Sequence, residues 1–285
     1  SDVCSSDLFD PQPIYLGVTL DRSLTFGPHL KNVAEKTSER VNIIRKLTGV
    51  NWGANFTTLR TSVLALVYSA AEYAAAVWAH STHTKAVDVV LNDAMRLISG
   101  TLKPTPKEML PVVSGIPPAS IRRDYQVLKL AEKAVKEDSL VPPVQDDTIP
   151  QRIPRQHFAT KAAALRRQGP LSTSWVEQKW QGEWRSSHTT LHTFIESPST
   201  EPSGHHLSRK AWTRLNHLRT GWGRTRSFLK MVGACENDLC ECGAPQTIPH
   251  LLQECPIFKP PNGLDGLHAL DHATIKWLED ADIPV

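Results

Sequence analysis

Cys240, Cys242, His250 and Cys255 fall within 16 residues, in the run Cys-Glu-Cys-Gly-Ala-Pro-Gln-Thr-Ile-Pro-His-Leu-Leu-Gln-Glu-Cys. Three thiols and an imidazole at this spacing make a tetrahedral zinc set. The Cys-x-Cys pair followed by Gly243 allows a tight backbone turn around an ion. His250 and Cys255 lie about one helical turn apart, which can bring both back to it. A Cys3His set with no open position is structural in kind, and zinc at such a site contributes on the order of 10 kcal/mol to folding a short polar segment. Two other readings compete: disulfides, against which stands the lack of any sign of secretion, and chance clustering of ligand types. Cys235 stands outside the set, as a bystander or an alternative ligand.

Residues 203–230 hold Arg209, Lys210, Arg214, Arg219, Arg224, Arg226 and Lys230 with no acidic residue. Trp212, Trp222 and Phe228 are interleaved, with His205, His206 and His217. Cations for phosphates and aromatic faces for unpaired bases are the composition of a single-strand nucleic-acid surface. The plainer reading makes Trp212, Leu215 and Leu218 the core face of a helix, which accounts for those three and leaves the arginines unexplained.

Charge is segregated along the chain. Residues 151–230 carry 14 Lys/Arg against 4 Asp/Glu, and residues 231–285 carry 2 against 9. Clustered cations displace counterions from a polyanion, and a solvated linker would look similar. A polymerase centre needs paired carboxylates on a strand to hold two metal ions. The adjacent pair Asp146-Asp147 sits instead in Pro-Pro-Val-Gln-Asp-Asp-Thr-Ile-Pro, with no strand pattern around it. No glycine-rich phosphate loop or nucleophile elbow stands out. The most apolar stretch, Thr61 to Ala79, is interrupted by Glu72 and reads as a buried helix, not a membrane span.

The elements that must position these residues are mostly helical. Ile14, Leu16, Val18 and Leu20 alternate as in a strand, Asp21-Arg22-Ser23 reads as a turn, and Leu24-Thr25-Phe26 as the return strand of a hairpin. Helical periodicity then predicts helices at about 29–47, 55–79 (central in a bundle), 84–99, a short one through Met109–Val113, and 119–136. Pro- and Asp-rich residues 138–154 read as a linker. Weaker helices follow near 156–167 and 174–185, then 208–220, 225–231 and 272–280. The expected fold class is mainly α: a short N-terminal β-hairpin, a helical bundle, and a smaller helical region ending in the zinc knuckle. The expected divisions are a hairpin at 9–27, the bundle at 28–137, the linker at 138–154, a basic helical region at 155–232, the knuckle at 233–260 and a tail with a short helix at 261–285. Ser1 to Leu8 resembles translated sequencing-adapter DNA, and we set it apart from the fold together with Cys4.

Several motifs in order resemble the reverse transcriptases of jockey-like non-LTR retrotransposons. Tyr15-Leu-Gly-Val-Thr-Leu-Asp-Arg-Ser-Leu-Thr-Phe26 with Pro28-His29-Leu30 is similar to the end of the palm. Trp52-Gly53-Ala54, Leu59-Arg60, Glu72-Tyr73, Val77-Trp78, Arg96 to Gly100, Leu110-Pro111, Gly115 to Pro118 and Arg122-Arg123 are similar to the thumb helices. Ala211-Trp212, Leu215-Asn216, Leu218 to Gly221 and Gly223-Arg224 resemble the segment before the terminal knuckle, which matches at Cys240, Cys242, His250 and Cys255. Trp277-Leu278 and Asp282-Ile283-Pro284 resemble the family's C-terminus.

The resemblance implies the C-terminal fragment of an RNA-directed DNA polymerase used in target-primed transposition. It implies that the hairpin is the primer-gripping edge of the palm and that 28–137 is the thumb. The catalytic aspartates and their Mg2+ belong upstream, so no catalytic residue is assigned here and the fragment is expected not to be an enzyme by itself. Structural Zn2+ is the expected cofactor. RNA and DNA (template–primer and target site) and the upstream palm and fingers of the same polyprotein are the expected partners, with no membrane, in an intracellular place, nuclear or cytoplasmic. The candidate nucleic-acid contacts are Arg122, Arg123, Arg209, Lys210, Arg214, Arg219, Trp222, Arg224, Arg226 and Lys230. The alternative is a free-standing zinc-knuckle module from a domesticated element that binds nucleic acid or protein.

Overall fold

The computed structural model describes residues 10–136, 158–281, 283 and 285. The adapter-like start with Cys4, and the 138–154 linker with Asp146-Asp147, lie outside the described residues. The chain is mainly helical, with a two-stranded antiparallel hairpin at its start. In order, β1 (Ile14–Tyr15) and β2 (Val18–Thr19) precede α1 (Gly27–Arg45), α2 (Phe56–Ser62), α3 (Ser69–Ala71), α4 (Ala75–Trp78), α5 (Lys85–Ser99), α6 (Leu110–Ser114) and α7 (Ala119–Lys136). Then come α8 (Phe158–Arg166), α9 (Trp175–Ser186), α10 (Arg209–Thr220), α11 (Arg226–Met231), α12 (Gly263–Ala269) and α13 (His272–Asp280). No helix among the described residues is long and apolar enough to cross a membrane.

The chain forms two compact units, each drawn from three separated segments. Of the described residues, the first holds those within 1–40, 66–91 and 118–179, and the second those within 41–65, 92–117 and 180–285.

In the first unit the hairpin turns earlier than its alternation suggests. Tyr15 pairs with Val18, so Leu16 and Gly17 form the turn, both at positive φ (46° and 80°). Two successive residues with positive φ twist in the sense that paired strands require. The expected return strand at 24–26 is instead a loop held by Asp21. Its carboxylate accepts from the Thr25 amide, the Thr25 hydroxyl and the Phe26 amide. Burial works to raise the Asp21 pKa, but these donors outweigh it and lower it. A two-stranded ribbon is marginal by itself. Here it is tied down by the Tyr73 hydroxyl, which donates to the Leu16 carbonyl, and by His29 Nδ1, which accepts from the Thr19 amide.

The long helix expected over 55–79 is broken. After α2 the backbone widens into a π-helical stretch, Val63–Tyr68, and Ala74 takes up left-handed φ (51°) between α3 and α4. Inside the first unit Glu72, just before that break, meets Arg122 in a two-pronged ion pair, Nη2 to Oε2 at 2.7 Å. The Trp78 indole donates to the Tyr73 carbonyl across the break. Helical periodicity alone cannot register this interruption, because alanine and leucine suit either geometry. Helix α4 packs on α7 and α8 around Trp78, Val127 and Leu128.

In the second unit α10 is the axis. Apart from Lys210, every residue of it is buried. It packs on α13 and on a 3-10 turn at Thr190–Thr193, while α12 packs on α13 and on the turn that carries His250. Helix α12 has no counterpart in the sequence expectations; Gly263 and Gly266 hide its period. Gly266 is required there, since a Cβ would meet Thr274 Oγ1 at 2.4 Å.

Candidate metal centre and nucleic-acid interface

The cluster is built by two turns. In the first, Leu239 pairs with Pro245 in an antiparallel bridge, the Cys240 amide donates to the Ala244 carbonyl, and Gly243 sits at φ 91°. That positive φ lets the chain reverse directly after Cys242. The second is a single π-helical turn, His250–Glu254, closed by the Cys255 amide donating to the His250 carbonyl at 2.8 Å. A spacing of five is therefore bridged by one wide turn, with both ligands on one side of it. Gln246, almost wholly buried, links the cluster to α11: its side chain accepts from the Arg226 amide, and its own amide donates to the Asp238 carbonyl.

The ligand atoms of Cys240, Cys242, His250 and Cys255 all lie within 4.8 Å of one another. Cys240 Sγ and Cys255 Sγ are 3.7 Å apart, and Cys242 Sγ is 3.1 Å from His250 Nε2. Tetrahedral zinc with Zn–S bonds of about 2.3 Å would set its sulfurs about 3.7–3.8 Å apart. The donor set and its size therefore fit a metal ion, with zinc compatible. His250 would ligate through Nε2, because Nδ1 faces Glu254 Oε2 at 3.4 Å. A carboxylate behind a ligating imidazole fixes the ring and raises its basicity. Burial works to raise the pKa of the Cys240 thiol, but the Cys242 amide and the His250, Cys255 and Cys242 side chains outweigh it, bringing it down to about 6. Burial pushes the Cys255 thiol up. Cys235 is apart from the cluster, its Sγ against the Arg226 and Asn237 carbonyls.

The chain is similar to the retrovirus-related Pol polyprotein of type-1 retrotransposable element R1 from Bradysia coprophila, 24% identical over 264 residues. It is 25% identical over 263 residues to that of element R1 4 from Nasonia vitripennis. Each match covers 88% of this chain. The chain is thus similar along most of its length to Pol polyproteins of type-1 retrotransposable elements. It spans 24% of the length of the Bradysia relative and 62% of the Nasonia relative. No protein-family model matches it, and no solved structure does.

In this chain the ten residues selected from the sequence as nucleic-acid contacts divide into two groups. Arg122 and Arg123 are engaged within the first unit, Arg122 with Glu72 and Arg123 in a two-pronged pair with Asp88. Arg122 also stacks on the Tyr68 ring, 4.9 Å from its centroid. Arg209, Arg214 and Arg219 are buried in the second unit and donate to backbone carbonyls: Arg209 to Gly49, Leu97 and Ile98, Arg214 to Leu278, and Arg219 to Ser203. Burial lowers the Arg209 and Arg219 pKa values to about 10, which leaves both charged at neutral pH. A guanidinium that is 1% exposed, as Arg219 is, cannot also meet a phosphate in this conformation.

The second group comprises Arg224, Arg226 and Lys230, all exposed, with Lys210 and Trp222 half-buried. Lys230 pairs with Asp238 at 2.8 Å at the surface. The arginine run that the sequence left unexplained therefore has two roles, internal carbonyl capping along α10 and an exposed cationic strip after it. No local signal separates them, since the capped carbonyls come from distant segments.

Proposed function

We propose that this chain is the nucleic-acid-binding, non-catalytic C-terminal part of a non-LTR reverse transcriptase, gripping template–primer RNA and DNA during target-primed reverse transcription. The observation that carries the reading is the Cys3His cluster directly following the strip of half-buried Trp222 and exposed Arg224, Arg226 and Lys230, in a chain alignable along 88% of its length with Pol polyproteins. Structural zinc would hold Cys240, Cys242, His250 and Cys255 and keep that strip in place through Gln246. The helices within residues 28–137 would act as the thumb, and the polymerase carboxylates with their Mg2+ would belong to an upstream part of the same polyprotein.

The test is fluorescence anisotropy with the full chain, zinc-loaded, against single-stranded RNA, single-stranded DNA and an RNA–DNA duplex across a salt series. The expected result is binding at low salt whose affinity falls linearly on a log–log plot as salt rises, because phosphate-bound cations release counterions. Absence of binding at low salt, or binding indifferent to salt, would overturn the reading.

A further inference from the structure

Two cavities within the second unit share one lining residue, Trp222. The larger, about 480 Å3, is lined also by Glu108, Met109, His188 and Thr189. The smaller, about 220 Å3, is lined also by Phe228, Ser227 and Ile248. The residues lining each include one whose hydroxyl is covered and has no hydrogen-bond partner, Thr189 Oγ1 beside the larger and Ser227 Oγ beside the smaller. A hydroxyl with no partner in the protein is free to turn toward a polar edge that enters the adjoining cavity.

We infer that this double cavity seats two unpaired nucleobases of a single strand, one in each cavity that Trp222 lines. This deepens the nucleic-acid reading above and rests on it. The indole of a residue that lines both cavities can offer a face to a base in each, and Phe228 adds a second ring beside the smaller one. A rotation about χ1 would let the Thr189 and Ser227 hydroxyls each meet a base edge. Glu108, which lines the larger cavity 3.9 Å from Lys107, would accept hydrogen bonds from an exocyclic amino group. Exposed cations lie in or next to the lining segments: Lys107 beside Glu108, Arg185 beside Ser186, and Arg224 and Arg226 between Trp222 and Ser227. The bases would enter the cavities while the backbone stays at this cationic rim. A peptide would find these cations without a use, and a duplex would keep its bases stacked away from the cavities.

The experiment compares, on the zinc-loaded full chain, a 12-nucleotide single-stranded oligonucleotide with an abasic sugar–phosphate strand of the same length. Intact oligonucleotide should bind about ten-fold or more tightly than the abasic strand, with the same salt dependence. Trp222→Ala should remove that difference, and Trp222→Tyr should retain most of it. The near-isosteric Thr189→Val and Ser227→Ala, which keep the fold if the tryptophan variant does not, should each narrow it several-fold. Equal affinity for the two strands with normal salt dependence would overturn this inference and leave the broader reading standing. Failure of both strands to bind at low salt would overturn the two together.

Discussion

The guanidinium of Arg209 closes the C-terminal end of α5 by donating from Nη1 to the carbonyl of Ile98, at 2.7 Å across 111 residues of sequence. Arg209 Nη2 takes the Leu97 carbonyl, the Trp212 indole shares that of Ile98, Asn216 takes Ser99, and His217 Nε2 meets Gly100 at 3.0 Å. Carbonyls at a helix C-terminus have no partner within the helix and carry its negative end. One face of α10 thus satisfies four successive carbonyls of another segment, with a cation at their start. Replacing Arg209 by Met should keep the volume and leave buried carbonyls unpaired, costing about 3 kcal/mol by analogy with other buried charge-assisted bonds. Urea denaturation of the two proteins measures it, and a loss under 1 kcal/mol would show that the capping is dispensable.

Gly100 lies against the same helix. Its φ is 75°, and a Cβ there would fall 2.3 Å from Thr213 Oγ1. Gly100→Ala should therefore destabilise by more than the ~1 kcal/mol that a left-handed residue alone costs. Thr213→Ala should recover part of that loss, giving a non-additive double-mutant cycle.

His217 sets a pH dependence. Burial, only partly offset by the Gly100 carbonyl, lowers its pKa from 6.5 to about 4. The unfolded chain therefore binds a proton that the folded chain refuses between those values. Stability is retained above about pH 6.5 and is lost as pH falls toward 4, by about 3 kcal/mol in all. Comparing denaturation of the parent with that of His217→Gln at pH 7 and pH 5 isolates this group, because any loss of bound metal is common to both. The variant should show the shallower decline, and equal declines would exclude His217 as the cause.

The candidate metal centre predicts a graded series. Cys255→Ser should abolish stoichiometric zinc and expose the amides of residues 239–258 to hydrogen exchange. Glu254→Gln, which removes the carboxylate behind His250, should weaken zinc by about 10- to 100-fold without changing stoichiometry at saturation. Cys235→Ser should leave zinc content unchanged. Competition with a chromophoric chelator reads all three, and a zinc loss in Cys235→Ser would place that thiol in the coordination shell.

The exposed strip predicts a salt signature. Arg224→Ala and Arg226→Ala should each lower the salt slope of nucleic-acid affinity by about 1 without changing stability. Unchanged slopes in both would put the phosphate contacts elsewhere.

The sequence by itself determined what short stretches of chain encode. Helix α7 appears at Ala119–Lys136 and α13 at His272–Asp280, where the apolar period placed them. Capping supports this: the Ser208 and Thr225 side chains accept from the Ala211 and Phe228 amides at the starts of α10 and α11. The Cys240, Cys242, His250 and Cys255 set was legible because thiols and imidazoles at close spacing are rare and chemically distinctive, and the fold brings the four together. Tertiary structure decided the rest. It placed the hairpin turn at Leu16-Gly17, because Val18 and Thr19 had to be buried. It broke the helix at Ala74, and it made Trp222 a lining residue of two cavities. Above all it sorted the arginines. A guanidinium suits a phosphate and a backbone carbonyl equally well, so its role depends on which acceptor the fold brings near. For Arg209 that acceptor is more than a hundred residues away in sequence.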